Sequence, residues 1–362
     1  MKQIRQSNFE LLRILCMLMI VGGHILLSQE SMTAVGTRDF YIGNIYRSFA
    51  ICAVDVFVLI SGYFGIHFNI KKILHISYEV LFYCVVILVA CVILGIHSIN
   101  IKKDILLFFP VISQRYWFIT IYVLLIIISP LLNIIVNSLS KKIYTFVIIG
   151  ICVIFYLWPT VCYSVAAPSI TKDAGYGIVN FACLYLIGRY IKKHVDESLL
   201  QRIPFHIITV FAALLLFAAN SVMSILLGFY FQQYIAYDSI FCLLVALSLF
   251  LCFRNCNIKS VWVNKLSKHC LACYIIHAHP VLWSYFWAQD TGRINHNLNG
   301  AELIIWLICV PIVIYGVCWG IDVIRTLLTE KIENRLVTWI VNRKPVHAVC
   351  KYMDEIERLG GK

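Results

Sequence analysis

Charge is what this chain has least of. Asp, Glu, Lys and Arg make up 13% of its 362 residues, and only 18 residues are acidic. Soluble globular chains carry about 25% charged residues, so the composition excludes that class. Hydrophobic residues reach 61%, which marks a polytopic membrane protein whose helices pack on one another and on lipid. There is no spaced framework of cysteines outside the apolar runs, and this excludes a disulfide-stapled secreted fold. The 15 cysteines sit mostly within those runs, as Cys16, Cys52, Cys84, Cys91 and Cys152 do, and there they act as small hydrophobes. Cys270 and Cys273 form a C-x-x-C beside His269, but no second pair accompanies them, so no metal is expected. The sequence shows no internal repeat, no low-complexity segment and no small-residue cleavage site after the first apolar stretch, so no removed signal peptide is expected.

The net charge of +12 does not point to nucleic acid, because the cations lie in loops between apolar spans. That is the pattern of cytoplasmic loops held against an anionic leaflet. Segments long enough to cross a bilayer fall near residues 9–28, 45–66, 74–95, 116–137, 143–163, 176–191, 203–228, 236–253, 270–288 and 302–324, which predicts an all-α integral membrane bundle of about ten transmembrane helices. With the N-terminus inside, 22 Lys and Arg fall on cytoplasmic segments and 7 on outer ones. This split predicts an N-in, C-in arrangement. The stretch from Ile99 to Pro110 is amphipathic and is expected to lie along the outer surface. The transmembrane domain is expected to span 1–327, with a short charged cytoplasmic tail over 328–362.

The first apolar stretch contains Arg13 and His24, eleven residues apart. Eleven helical residues turn by about three turns plus 20° and rise about 16 Å, so both side chains share a face. An Arg this far inside an apolar helix costs a few kcal/mol, which predicts that the shared face lines a polar cavity. The ordinary alternative is that Arg13 snorkels to the headgroups while His24 caps the helix. Arg provides a forked, permanently charged donor for phosphate. His is a general base near neutral pH. Asp55 is a carboxylate in the second span and needs a partner: Arg13, His24 or a donor from another helix. It is read either as the group that orients the histidine or as half of a structural ion pair. Ser61 and Gly62 allow two backbones to approach closely. Glu79 and Asp322 are further acids at or near membrane depth, with no role assigned beyond pairing.

Arg13 and His24 on the first helix, followed by VDVFVLISGYF over residues 54–64, resemble the membrane-bound acyltransferase family 3. RYWFITIYVLLIIISPLLN (115–133), FACLYLIGRYIKK (181–193) and CYIIHAHPVLW (273–283) resemble its later motifs in the same order. The resemblance implies a ten-helix enzyme that moves an acyl group, commonly acetyl, from cytoplasmic acyl-CoA to a hydroxyl of a surface polysaccharide or lipid-linked glycan. Its partners would be the lipid bilayer, the acyl-CoA co-substrate and the carbohydrate acceptor, and its place the cell (plasma or inner) membrane. Carried over, Arg13 and His24 match the essential pair, Asp55, Ser61, Gly62 and Tyr63 the second-helix motif, and Trp117 and His277 the later elements. Tyr274 lies beside His277 and is expected to line the same cavity. Many relatives place an Arg soon after the Ser-Gly. This chain has none there and offers Lys71 and Lys72, read either as phosphate contacts or as ordinary positive-inside residues. Tyr122 stands where some relatives have a Glu. The competing classes are a glycan-precursor flippase and a polysaccharide polymerase. A transporter favours paired half-sites from an internal repeat.

Overall fold

Every regular element is helical in the computed structural model, which describes residues 6–29, 34–163, 173–288 and 298–359, and no strand occurs among them. The helices are α1 (Ser7–Leu27), α2 (Arg38–Ala50), α3 (Ala53–Phe64), α4 (Ile70–Ile93), α5 (Ile101–Asp104), α6 (Trp117–Ser138), α7 (Lys141–Cys152), α8 (Trp158–Tyr163), α9 (Ile178–His194), α10 (Glu197–Arg202), α11 (Phe205–Leu227), α12 (Ile240–Asn255), α13 (Val261–Leu266), α14 (Cys270–His277), α15 (Pro280–Phe286), α16 (Gly300–Val341) and α17 (Lys344–Leu359). Eight helical stretches among the described residues are long and apolar enough to cross a membrane; α2 and α3 count as one of them, running on from each other over 27 residues. Two of the ten expected spans take another form. α9 is only 17 residues long. The run 270–288 is broken into α14 and α15. Pro280 lacks the N–H a continuing helix needs and opens α15 instead, while the His279 ring accepts the Val281 N–H at 3.2 Å as its cap. A turn of π-helix over Val153–Leu157 joins α7 to α8, next to Pro159, whose missing N–H loosens the preceding turn.

The chain divides into two units. The first comprises Met1–Gly65, Lys141–Cys270 and Ile294–Tyr315, the second Ile66–Ser140, Leu271–Arg293 and Gly316–Lys362.

In the first unit α3 is the central element, with α1, α9 and α12 packed on it. The α3–α9 crossing depends on two glycines. A Cβ on Gly62 would stand 2.5 Å from the Tyr185 carbonyl oxygen, and one on Gly188 would stand 2.7 Å from that of Leu59. The backbones therefore touch directly, as the Ser61-Gly62 pair predicts. The start of α1 is pinned to the α12–α13 region: Asn8 donates to the Phe253 carbonyl at 2.9 Å, and Ser7 accepts the Ser260 N–H at 3.0 Å. Buried Asn44 of α2 donates to Ser221 at 2.7 Å and accepts from Asn220 at 2.9 Å, both on α11. Such bonds satisfy polar groups that lipid cannot.

In the second unit α4 runs beside the later part of α16. Arg325 is ringed by Asp322, Glu333 at 3.2 Å and Glu79 at 3.9 Å. Tyr83 donates to Asp322 at 2.7 Å, and His75 meets Glu333 at 2.6 Å. Glu79 and Asp322 thus have the pairing that acids at this depth require. α17 packs on α6, and its Glu357 accepts the Phe68 N–H at 2.6 Å. The expected tail boundary at 328 falls inside α16, which runs unbroken to Val341. Ile101, Ile105, Leu106 and Phe109 of the amphipathic 99–110 stretch are all exposed. All 15 cysteines are free thiols. Lys172 and Arg293, two of the seven cations assigned to the outer side, lie outside the described residues, as do Lys2, Arg5 and Lys362 of the cytoplasmic set.

Candidate functional site

The expected site residues fall into two groups, one in each unit. In the first, α1 is continuous from Ser7 to Leu27. The phase that puts Arg13 and His24 on one face, about 16 Å apart, therefore holds. Both are half-buried. Arg13 does not stand alone. Its Nη1 lies 2.7 Å from Glu10, one turn earlier, and the other Glu10 oxygen accepts the Ser267 hydroxyl at 2.6 Å. Glu10 offsets the cost of the guanidinium, and the sequence reasoning did not assign it a part.

Asp55 is fully buried and contacts neither Arg13 nor His24. One of its oxygens accepts from Asn180 of α9, the other from Cys242 of α12, each at 3.4 Å. Asn180 also donates to the Gly175 carbonyl at 3.0 Å and accepts the Tyr156 hydroxyl at 2.6 Å. Of the three partner types considered, a donor from another helix is the one found. The register gives the reason. Phe9 packs on Phe64 with ring centroids 5.0 Å apart. Counted from there at about 1.5 Å per residue, Asp55 stands level with Met17 and Leu18, roughly 10 Å short of His24 along the bundle. Through its two bonds Asp55 joins α3, α9 and α12.

Toward the end of α3, Ser61 donates back to the Phe57 carbonyl at 3.0 Å. Tyr63 is buried against Phe9 and Phe250, with centroids 5.7 and 5.4 Å away. Its hydroxyl lies 3.5 Å from Arg254 Nε, and Lys192 Nζ lies 5.1 Å from its ring centroid.

In the second unit, Trp117, Tyr274, His277 and Lys72 are joined by one aromatic track. His277 packs against Tyr274, Tyr274 against Phe118, and Phe118 against both Trp117 and Tyr122, with centroids 5.9–6.1 Å apart. Lys72 meets Tyr122 at its end, 3.1 Å from the hydroxyl. Lys71 and Lys72 are both exposed, and Lys72 is turned onto Tyr122. Buried His277 has Nδ1 2.6 Å from the Cys273 carbonyl. A carbonyl only accepts, so in the neutral ring Nδ1 carries the hydrogen and Nε2 the lone pair. At the loop around α5, burial pushes the Asp104 carboxyl up, but the Asn100 N–H and the His97 ring outweigh it and hold it below the usual range.

Sequence reasoning did not pick out Asn180, Tyr156 or Cys242; it counted Arg254 only as a loop cation, and Arg189 as a loop cation within the 181–193 motif. The one local signal was polarity within an apolar run, as at Asn180. No cluster of His, Cys, Asp and Glu suited to a metal occurs among the described residues.

No curated protein and no solved structure matches the chain significantly. A family model for an acyltransferase domain, that of acyltransferase 3, matches residues 6–323. The match runs from the Arg13–His24 helix through the α3–α9 crossing and the broken α14–α15 pair into α16, and on that evidence the chain belongs to the acyltransferase 3 family of membrane acyltransferases.

Proposed function

We propose that the protein is an O-acyltransferase, with acetyl as its acyl group, acyl-CoA at the cytoplasmic face as donor, and a hydroxyl of a surface polysaccharide or lipid-linked glycan as acceptor. The observation that supports this most is the pairing of a forked cation and an imidazole on one face of an unbroken membrane-spanning helix, about 16 Å apart. An acyl donor with an anionic head and a reactive thioester on a long arm suits that spacing.

In this reading the donor's charged end lies toward Arg13 and its thioester reaches His24. His24 takes the proton from the acceptor hydroxyl as the oxygen attacks the thioester carbonyl. The C–O bond forms, the C–S bond breaks, and the departing thiolate takes up the proton. The same ring is also suited to carry the acyl group briefly as an acyl-histidine. The chain would then sit in the plasma or inner membrane with both termini inside. Its Lys and Arg balance of 22 to 7 supports that orientation.

The test is to supply membrane vesicles carrying the protein with radiolabelled acetyl-CoA and follow the label. Label in glycan is the expected result, and label held on protein would identify an acyl-enzyme. Vesicles that move glycan across the membrane, or lengthen it, without using acetyl-CoA would overturn the proposal in favour of a flippase or a polymerase.

A further inference from the structure

The Gly62–Gly188 crossing has a consequence at the ends of the helices it joins. Because α9 lies backbone to backbone on α3, the residue after Gly188 is carried to the last turn of α3. There the Arg189 guanidinium covers Gly65. Gly65 adopts φ +79°, and a Cβ at that position would stand 3.0 Å from Arg189 Nη1. Arg189 Nε is buried and has no hydrogen-bond partner among the described residues. Lys192, about one turn further, brings Nζ to 5.1 Å from the Tyr63 ring centroid. α12 adds Arg254, with Nε 3.5 Å from the Tyr63 hydroxyl. Its carboxylate partner is Glu197 at 2.9 Å, whose side chain is 67% exposed. Neither Arg189 nor Lys192 makes an ion pair among the described residues. Three cations therefore surround the 63–65 segment, and of them only Arg254 has a carboxylate partner, the solvent-facing Glu197, among the described residues.

Cations at helix C-termini are favoured by the helix dipole, but a cation that serves only the dipole keeps its donors in water. Arg189 instead buries one unpartnered, at a glycine that leaves room beside it. A forked donor and a compact ammonium side by side, with a second guanidinium behind them, suit a ligand with several phosphates. We propose that the converging ends of α3, α9 and α12 are the seat of the nucleotide of the acyl donor. Arg189 and Lys192 hold its phosphates, Arg254, whose nitrogens are taken by Tyr63, Asn255 and Glu197, adds its charge behind them, and Lys71 and Lys72 do not. The inference rests on the acyl-CoA reading above. Phe9 lies beside Tyr63, so the seat is about one turn beyond Arg13 and roughly 22 Å from His24 at helical rise. The donor's charged head then reaches from this seat to Arg13, and its arm runs from there to His24.

The probe is adenosine 3′,5′-bisphosphate, titrated into the intact protein in nanodiscs beside acetyl-CoA. Arg189→Gln and Lys192→Gln should each raise the Kd of both ligands by about tenfold and flatten its salt dependence. Lys71→Gln and Lys72→Gln should leave it within about twofold. Lys192 is exposed, so its substitution tests the seat without risk to the fold, and thermal midpoints check the Arg189 variant. Wild-type binding that neither substitution at 189 or 192 weakens would overturn the seat while leaving the acyl-CoA reading intact. A wild-type protein that binds neither the bisphosphate nor acetyl-CoA would overturn both.

Discussion

Replacing Gly188 with alanine is a sharp test of the packing that organises the first unit. The new Cβ would meet the Leu59 carbonyl oxygen at 2.7 Å, the Tyr63 nitrogen at 2.8 Å and the Gly62 carbonyl carbon at 3.0 Å. All three are backbone atoms, so no rotamer change relieves the overlap. Ordinary contact begins near 3.5 Å, so the helices must separate by roughly 0.5–1 Å. A gap of that size forfeits a quarter to a half of each displaced contact along the seam, and overpacking in well-packed cores costs about 1–3 kcal/mol. The thermal midpoint of the detergent-solubilised protein should fall by roughly 5 °C. Gly150 of α7 is the control, because a Cβ there meets nothing within 4 Å. Gly150→Ala should leave the midpoint unchanged or raise it slightly, since alanine is favoured over glycine inside a helix by about 1 kcal/mol. The close crossing would be refuted if Gly188→Ala melted with the wild type, or if Gly150→Ala fell as far.

His24→Ala should abolish acyl transfer while insertion and melting stay normal; a residual rate above about a tenth of wild type is incompatible with a general base or acyl carrier, which contributes about a hundredfold or more. Asp55→Asn should keep turnover within about threefold in the folded fraction, since an amide oxygen still accepts from Asn180 or Cys242; a hundredfold loss at an unchanged midpoint would return Asp55 to the catalytic machinery. A membrane-impermeant amine reagent applied to intact cells should label Lys102 and Lys103 but not Lys141 and Lys142, although all four are exposed; labelling of the 141–142 pair would invert the orientation argued from the cation balance. The depressed Asp104 carboxyl stabilises its loop above the unfolded value of about 3.9, and this is lost as pH falls through the lower folded value. Protection from hydrogen exchange over residues 97–104, taken relative to the intrinsic rate at each pH, should therefore fall below about pH 4 in the wild type, and an Asp104→Asn variant that kept the same pH dependence would exclude this carboxyl as its source.

The sequence by itself determined whatever is set within one helix. Apolar length decided that the chain is a membrane bundle, because a bilayer demands about 20 residues per crossing. Helical phase decided that Arg13 and His24 share a face, because α1 needs no other element to set it. The tertiary structure decided everything that depends on which helices meet. Asp55 reads as a carboxylate in search of a partner until the packing of α9 and α12 on α3 hands its oxygens to Asn180 and Cys242, 125 and 187 residues distant. Arg189 reads as a loop cation until Gly62 and Gly188 bring it onto Gly65. The break at His277–His279 lies between the two cases: Pro280 carried the local signal, but the apolar run around it reads as one span. Lipid gives little drive for one helix pair over another, so partner choice falls to small residues and buried hydrogen bonds. Those act between positions whose pairing no local pattern encodes.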